Sequence, residues 1–252
     1  MIDLKQLPFD TEAMLTGLKP WIECESPTYD AQAVGRMMDL AARDLAAAGA
    51  SIERIPGRMG FGDCVRASFP HKVKAPGILV MGHLDTVHPV GTLKALPWRR
   101  DGDKCYGPGI MDMKGGNFAA LEALRQLQKA NIETPLPVTF LFTSDEEVGS
   151  PSTREMIEAE AARHKYILVP EPARNDGGVV TGRYAIARFD LEAIGRPSHA
   201  GALLADGRSA RLSTKMCSFS VCRAAPRTPR PSSEARSIGP VKLASDPPPT
   251  LE

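Results

Sequence analysis

The chain has 252 residues, 42% of them hydrophobic, a balance that supports a sizeable folded core and excludes a wholly disordered polymer. Its 31 basic and 30 acidic residues leave a net charge of +1, which gives no electrostatic reason to expect nucleic acid or a membrane surface as partner. The five cysteines are odd in number and scattered, with no C-x-x-C pair. This points to reduced thiols in the cytoplasm rather than a disulfide framework or a cysteine-based zinc site. The N-terminus, Met1 to Gln6, lacks the basic stretch and apolar run of a signal peptide, and no apolar run is long enough to span a bilayer.

Along the chain, Asp10 to Trp21 reads as a helix capped by Asp10 or Thr11. A second helix is expected from Asp30 to Ala48, with Val34, Met37, Met38, Ala41 and Leu45 at helical spacing and Gly49 as its stop. Ser51 to Ile55 and Cys64 to Phe69 read as strands, and Gly77 to Gly82 is a continuous apolar run typical of a strand buried on both faces. Gly115 to Ala130 is expected to be helical with a buried stripe of Phe118, Ala119, Leu121, Leu124 and Leu127. Leu136 to Phe142 reads as another buried strand, Ser152 to Arg163 as a helix and Tyr166 to Val169 as a further strand. Alternating strands and helices imply an α/β domain built on a mostly parallel sheet flanked by helices, over residues 1–181. The alternating segment from Arg183 begins a second, incomplete α+β domain over 182–210, a lid or dimerisation unit.

Residues 211–252 differ again. They hold seven prolines and seven basic against three acidic residues, with no apolar periodicity over Arg223 to Ser237. Such a segment buries too little surface to offset its ordering entropy and is expected to be a disordered tail. A shifted reading frame or truncation of a longer protein accounts for the same composition.

Chemistry concentrates where strands give way to loops. His83 and Asp85, two residues apart at a strand end, suit a metal ligand and the carboxylate that orients it. Asp112 lies in a glycine-rich turn, Gly107 to Gly116, directly before a helix. Glu146 and Glu147 follow a buried strand, and adjacent carboxylates repel unless a cation or a shared proton relieves them. Glu171 sits between two prolines after the last strand. Each has an ordinary alternative: a surface turn for His83 and Asp85, a helix cap for Asp112, a solvated acidic turn for Glu146 and Glu147, a rigid loop for Glu171. His199, in Ser198-His199-Ala200-Gly201, is by default a turn histidine. In open sheets of this kind, however, ligands bind beyond the carboxyl ends of the strands, and carboxylates with imidazole are zinc ligands.

These motifs, with Thr143-Ser144-Asp145-Glu146-Glu147-Val148-Gly149-Ser150, resemble the cocatalytic di-zinc amidohydrolase family of glutamate carboxypeptidase, aminoacylase, acetylornithine deacetylase and succinyl-diaminopimelate desuccinylase. The resemblance covers roughly residues 10–210. Within it, His83-Leu84-Asp85-Thr86-Val87, Gly91-Thr92-Leu93 and Gly102 to Gly109 are most similar to the carboxypeptidase-G-type branch. The resemblance implies that His83 and Glu171 bind one zinc, Asp112 bridges two, Glu147 binds the second and Asp85 supports His83. Glu146 is then the general base toward a metal-activated water, and His199 steadies the oxyanion in a partner subunit. The implied reaction cleaves an amide bond to release an amino acid, with C-terminal glutamate as one candidate and N-acyl amino acids as another. The implied substrate is thus a short peptide or N-acyl amino acid. Cobalt or manganese could replace zinc, and the family is commonly homodimeric.

The chain departs from that pattern after Ala210. No histidine follows His199, so the late imidazole that completes the second zinc site in the family has no counterpart. The ligands of the first site are complete, those of the second are one short, and a catalytically weak or inactive metal-binding remnant is the alternative expectation.

Overall fold

The computed structural model describes residues 7–172 and 177–181. Helix α1 (Thr11–Glu23) starts where expected, with the Asp10 carboxylate accepting the Ala13 N–H at 3.0 Å. Helix α2 (Ala31–Ala47) is capped likewise by Asp30, which accepts from Ala33 at 2.9 Å. Its five predicted apolar positions are fully buried, and it stops before Gly49, whose φ of 94° suits glycine alone.

The strands follow as β1 (Ser51–Ile55), β2 (Cys64–Ser68), β3 (Ile78–His83), β4 (Arg99–Asp101), β5 (Lys104–Tyr106), β6 (Val138–Thr143) and β7 (Tyr166–Leu168). Helix α3 (Gly115–Lys129) links the β5 region to β6, and α4 (Arg154–Ala161) links β6 to β7. The main sheet has the order β1-β2-β6-β3-β7, while β4 and β5 form a separate hairpin. The α/β architecture with flanking helices matches the sequence expectation. The sheet itself is mixed rather than mostly parallel: β3 runs parallel to β6 and β7, but β2 is antiparallel to both β1 and β6. The reason is connectivity, because only a short loop (56–63) joins β1 to β2 and a parallel return needs a crossover of about a dozen residues.

The core lies between this sheet and helices α1, α2 and α3. Trp21 meets Phe118 and Phe142 edge-on, with centroids 5.4 and 6.1 Å apart, and its indole N–H donates to Asp44 at 2.7 Å. Such aromatic pairs contribute about 0.5–1.5 kcal/mol each beyond their buried area. One expectation fails on α3: Ala119 is exposed, and the buried face carries Asn117, Glu122 and Gln126 beside Phe118 and Leu121. Glu122 and Gln126 hydrogen-bond one another across one helical turn, which is how two polar side chains occupy an inward stripe. At the far edge, β7 exposes Tyr166, Ile167 and Leu168. The expected second unit (182–210), the tail (211–252) and His199 lie outside the described residues.

Candidate metal centre

Because β3, β6 and β7 are parallel, their carboxyl ends open on one side, and the predicted residues gather there. His83 is the last residue of β3, and its side chain is only 1% exposed. Its backbone is pinned on several sides: the Asn117 amide donates to the His83 carbonyl at 2.7 Å, and the His83 N–H points to Met113 Sδ at 3.3 Å. The next residue, Leu84, donates its N–H to the carbonyl of Thr143 at 3.0 Å. His83 Nδ1 faces two acceptors of Asp85, the backbone oxygen at 3.0 Å and carboxylate Oδ1 at 3.4 Å. Two acceptors on that side place a proton on Nδ1 and turn Nε2 toward the opening.

Around Nε2 stand Asp112 Oδ1 at 3.0 Å, Glu171 Oε1 at 3.6 Å and Glu146 Oε2 at 3.7 Å. Glu147 joins the group: donor atoms of His83, Asp112 and Glu147 all lie within 4.8 Å of one another. The sequence-predicted residues His83, Asp85, Asp112, Glu146, Glu147 and Glu171 therefore converge. Asp112 is delivered by the turn Ile110–Lys114, where its backbone leaves helical geometry, between Gly109 with φ 68° and the start of α3. Glu146 and Glu147 lie in a single turn, Glu146–Val148, just after β6. Glu171 follows β7, and the Pro170 carbonyl before it rests so close to Gly116 that no side chain fits there.

The electrostatics follow from this crowding. Burial opposes charge on His83, yet the hydrogen bonds to Asp85 and Glu171 and the charges of Asp85 and Glu146 outweigh it and push the imidazole up to about 11. Burial raises the Glu146 and Glu147 carboxyls, with further upward pressure from the neighbouring acids. An imidazole nitrogen ringed by carboxylates needs either a second proton or a cation, and this donor set of one imidazole and several carboxylates is that of a zinc, cobalt or manganese site. The residues present thus fit a metal ion. A cavity of ≈ 320 Å³ adjoins the cluster, lined by His83, Glu146, Glu171, Met113 and Arg154 among others, a size in the range of small-molecule sites.

Two residues lie within the motifs read from the sequence, but no role was assigned to them there. Asp145 is fully buried and spends its carboxylate on the turn, accepting from Ser152 N–H and hydroxyl at 2.7 and 2.8 Å and from the Thr153 hydroxyl at 2.5 Å. Lys114 is 1% exposed, with its ammonium donating to the Cys24 carbonyl at 2.7 Å. Burial lowers its pKa to about 8, against the pull of Cys24, Glu25 and Asp85. The proximity of Lys114 to Asp112 was visible in sequence; its burial was not.

Comparison with known proteins places this arrangement. The description "Peptidase family M20/M25/M40" matches residues 79–247. Carboxypeptidase G2 of Pseudomonas sp. (strain RS-16) is 34% identical over 194 residues, covering 75% of this chain and 46% of that protein. Succinyl-diaminopimelate desuccinylase of Orientia tsutsugamushi (strain Ikeda) is 30% identical over 138 residues, covering 49% of this chain and 35% of that protein. The chain thus spans less than half the length of these curated relatives. The crystal structure of human carnosine dipeptidase 1 shares the fold with a TM-score of 0.57 at 22% identity, over 65% of this chain and 39% of that one.

Proposed function

The chain belongs to peptidase family M20/M25/M40, and from that premise we propose that it is a zinc-dependent hydrolase of peptide or N-acyl amino acid amide bonds. The observation that carries the proposal is the convergence of Asp112, Glu146 and Glu171 on His83 Nε2, with Glu147 beside Asp112. His83, Asp112, Glu147 and Glu171 would hold the metal. When bound, zinc supplies Lewis acidity toward the scissile carbonyl and lowers the pKa of the attacking water.

The chain's own groups do the rest. Asp85 keeps the Nδ1 proton in place, so that Nε2 presents its lone pair outward. Glu146 is half exposed and lines the cavity, and its carboxyl is raised by burial and by its acidic neighbours. Such a group takes the proton of the attacking water on its carboxylate oxygen and returns it to the leaving amine. Release of a C-terminal glutamate is the specific reaction proposed, from the resemblance of His83 to Val87, Gly91 to Leu93 and Gly102 to Gly109 to the carboxypeptidase-G-type glutamate carboxypeptidases. His199, outside the described residues, is proposed as the oxyanion-stabilising group of a partner subunit.

The test uses the full 252-residue chain loaded with zinc, assayed for free amino acid release from N-acyl amino acids and short peptides ending in glutamate. Glu146→Ala should lower kcat on the order of 10²-fold or more while zinc stays bound. Wild-type turnover equal to that of Glu146→Ala, with zinc bound, would overturn the hydrolase reading and leave a metal-binding role.

A further inference from the structure

We propose that Thr28, in the connection between α1 and α2, is a positioning residue of the metal centre: its hydroxyl fixes Asp85, and through Asp85 it fixes His83 and the Glu146–Glu147 turn. The inference rests on the reading of that centre given above.

The connection from Cys24 to Thr28 lies along the end of β3 like an added strand. Pro27 and Thr86 form a parallel bridge, the Thr86 N–H donates to the Ser26 carbonyl at 2.8 Å, and the Thr28 N–H donates to the Thr86 carbonyl at 3.2 Å. The Ser26 hydroxyl donates to the Leu84 carbonyl at 2.6 Å. The Glu25 carboxylate receives the N–H groups of Gly91 and Leu93 at 2.7 and 2.8 Å, and the Cys24 carbonyl receives the Lys114 ammonium. One short segment therefore ties down the end of β3, the 89–93 loop and the turn that carries Asp112.

Within this strap, only Thr28 donates a side-chain hydrogen bond to Asp85 among the described residues. Both side chains are buried. The Thr28 hydroxyl stands 2.8 Å from Asp85 Oδ2 and 3.5 Å from the Thr86 carbonyl, so its single proton goes to the carboxylate. The other contacts of that carboxylate are longer: Glu146 N–H and Glu147 N–H at 3.3 Å each, and His83 Nδ1 at 3.4 Å. The shortest bond is the one that sets the rotation of the carboxylate. Without it Asp85 can turn, and the imidazole and the acidic turn lose their common reference.

The test is zinc affinity of the full-length chain, measured by competition with a chromophoric chelator, alongside thermal unfolding. Thr28→Val keeps the branched shape and removes the hydroxyl, and it should weaken zinc binding by roughly 10-fold, the lower end of the range for direct partners of metal ligands, since Thr28 acts one step behind such a partner. Thr28→Ser keeps the hydroxyl and should bind zinc as wild type does. Ser26→Ala removes a buried hydroxyl bond from the same strap without touching Asp85, and it should lower Tm while leaving zinc affinity intact. Wild-type affinity in Thr28→Val, or equal weakening in Ser26→Ala, overturns the proposal. Should Thr28→Val not fold, Thr28→Ala replaces it under the same criteria. Zinc binding by the wild-type chain that is indifferent to His83→Ala overturns the metal-centre reading itself, and this inference with it.

Discussion

Asp145 separates structural from functional acids in this site, and its replacement by asparagine gives a quantitative test. Its carboxylate is fully buried and accepts three side-chain or backbone donors, from Ser152 N–H, Ser152 hydroxyl and Thr153 hydroxyl. Its backbone carbonyl also accepts the Ser150 N–H at 2.9 Å, so the Glu146–Ser150 turn is closed from both ends. An asparagine oxygen can keep the Ser152 pair, and the Thr153 hydroxyl can rotate to accept from the amide. What is lost is charge assistance, about 1 kcal/mol for each bond to an ionised group. Three such bonds give a destabilisation of about 2–3 kcal/mol for Asp145→Asn. Asp145→Ala leaves the donors unpaired in a buried site and should cost about 4 kcal/mol or more. For a chain of this size 1 kcal/mol corresponds to about 2–4 °C, so the asparagine variant should melt roughly 5–10 °C lower. Circular dichroism melts in excess chelator are the assay, which removes metal linkage from the comparison. An asparagine variant that melts with the wild type, or an alanine variant no worse than asparagine, would refute the clamp.

Two other predictions follow from particular contacts. Cys64 is buried against Ser144, and burial pushes its thiol from 9.0 up to about 11. The folded state then holds a proton that the unfolded state releases, so this contribution is fully present below pH 9 and is lost as pH rises toward 11, by up to about 1.4 kcal/mol per pH unit. Peptide mapping after alkylation at pH 8 should find Cys64 unmodified in native protein and modified in denatured protein, and native labelling would contradict its burial. Gly116→Ala tests how Glu171 is held: the new Cβ meets the backbone carbonyl of Pro170, which cannot swing aside as a side chain can. Alanine within a helix normally stabilises by roughly 0.5–1 kcal/mol over glycine, whereas overpacking here should destabilise by about 1–3 kcal/mol and weaken zinc binding. Denaturant unfolding decides the sign, and a stabilised variant would move Pro170 away from α3.

Features written in a few neighbouring residues were legible in the sequence. The cap at Asp10, the start of the second helix at Asp30, the inward face of α2 and the stop at Gly49 all depend on contacts within one or two helical turns. His83, Asp85, Glu146, Glu147 and Glu171 were legible because they follow apolar runs, where an α/β fold presents its ligands, and Asp112 because it stands in a glycine-rich turn before a helix. What could not be read depends on contacts between distant segments. Nothing local distinguishes the Thr28 hydroxyl from that of Thr16, which merely donates to the Glu12 carbonyl one turn back; its partner Asp85 is 57 positions away. The polar inward face of α3 is similarly hidden, since Asn117 is buried for the sake of the His83 carbonyl. The antiparallel placement of β2 escaped because its apolar pattern says nothing about direction.

The same fold treats its buried and half-buried acids in opposite ways, and that contrast argues for a cation at the strand ends. Where a carboxylate serves stability, donors saturate it. Asp145 has three, and Glu160 lies between the Arg66 and Arg163 guanidinium groups at 3.0 and 3.2 Å. At the strand ends the ratio reverses: Asp112, Glu146 and Glu171 all crowd one imidazole nitrogen, and Glu147 adds a further acid. Stability alone would call for one partner, because each further acid adds repulsion that a single imidazolium cannot offset. A divalent ion would reverse that sign, since acids that repel one another around the imidazole would then be attracted to a common cation. Folding and metal binding should therefore be coupled most strongly through the acids, so that Glu147→Gln should raise the Tm of the chain in excess chelator while weakening divalent-metal binding in a chelator competition, and a lowered Tm would refute the repulsion.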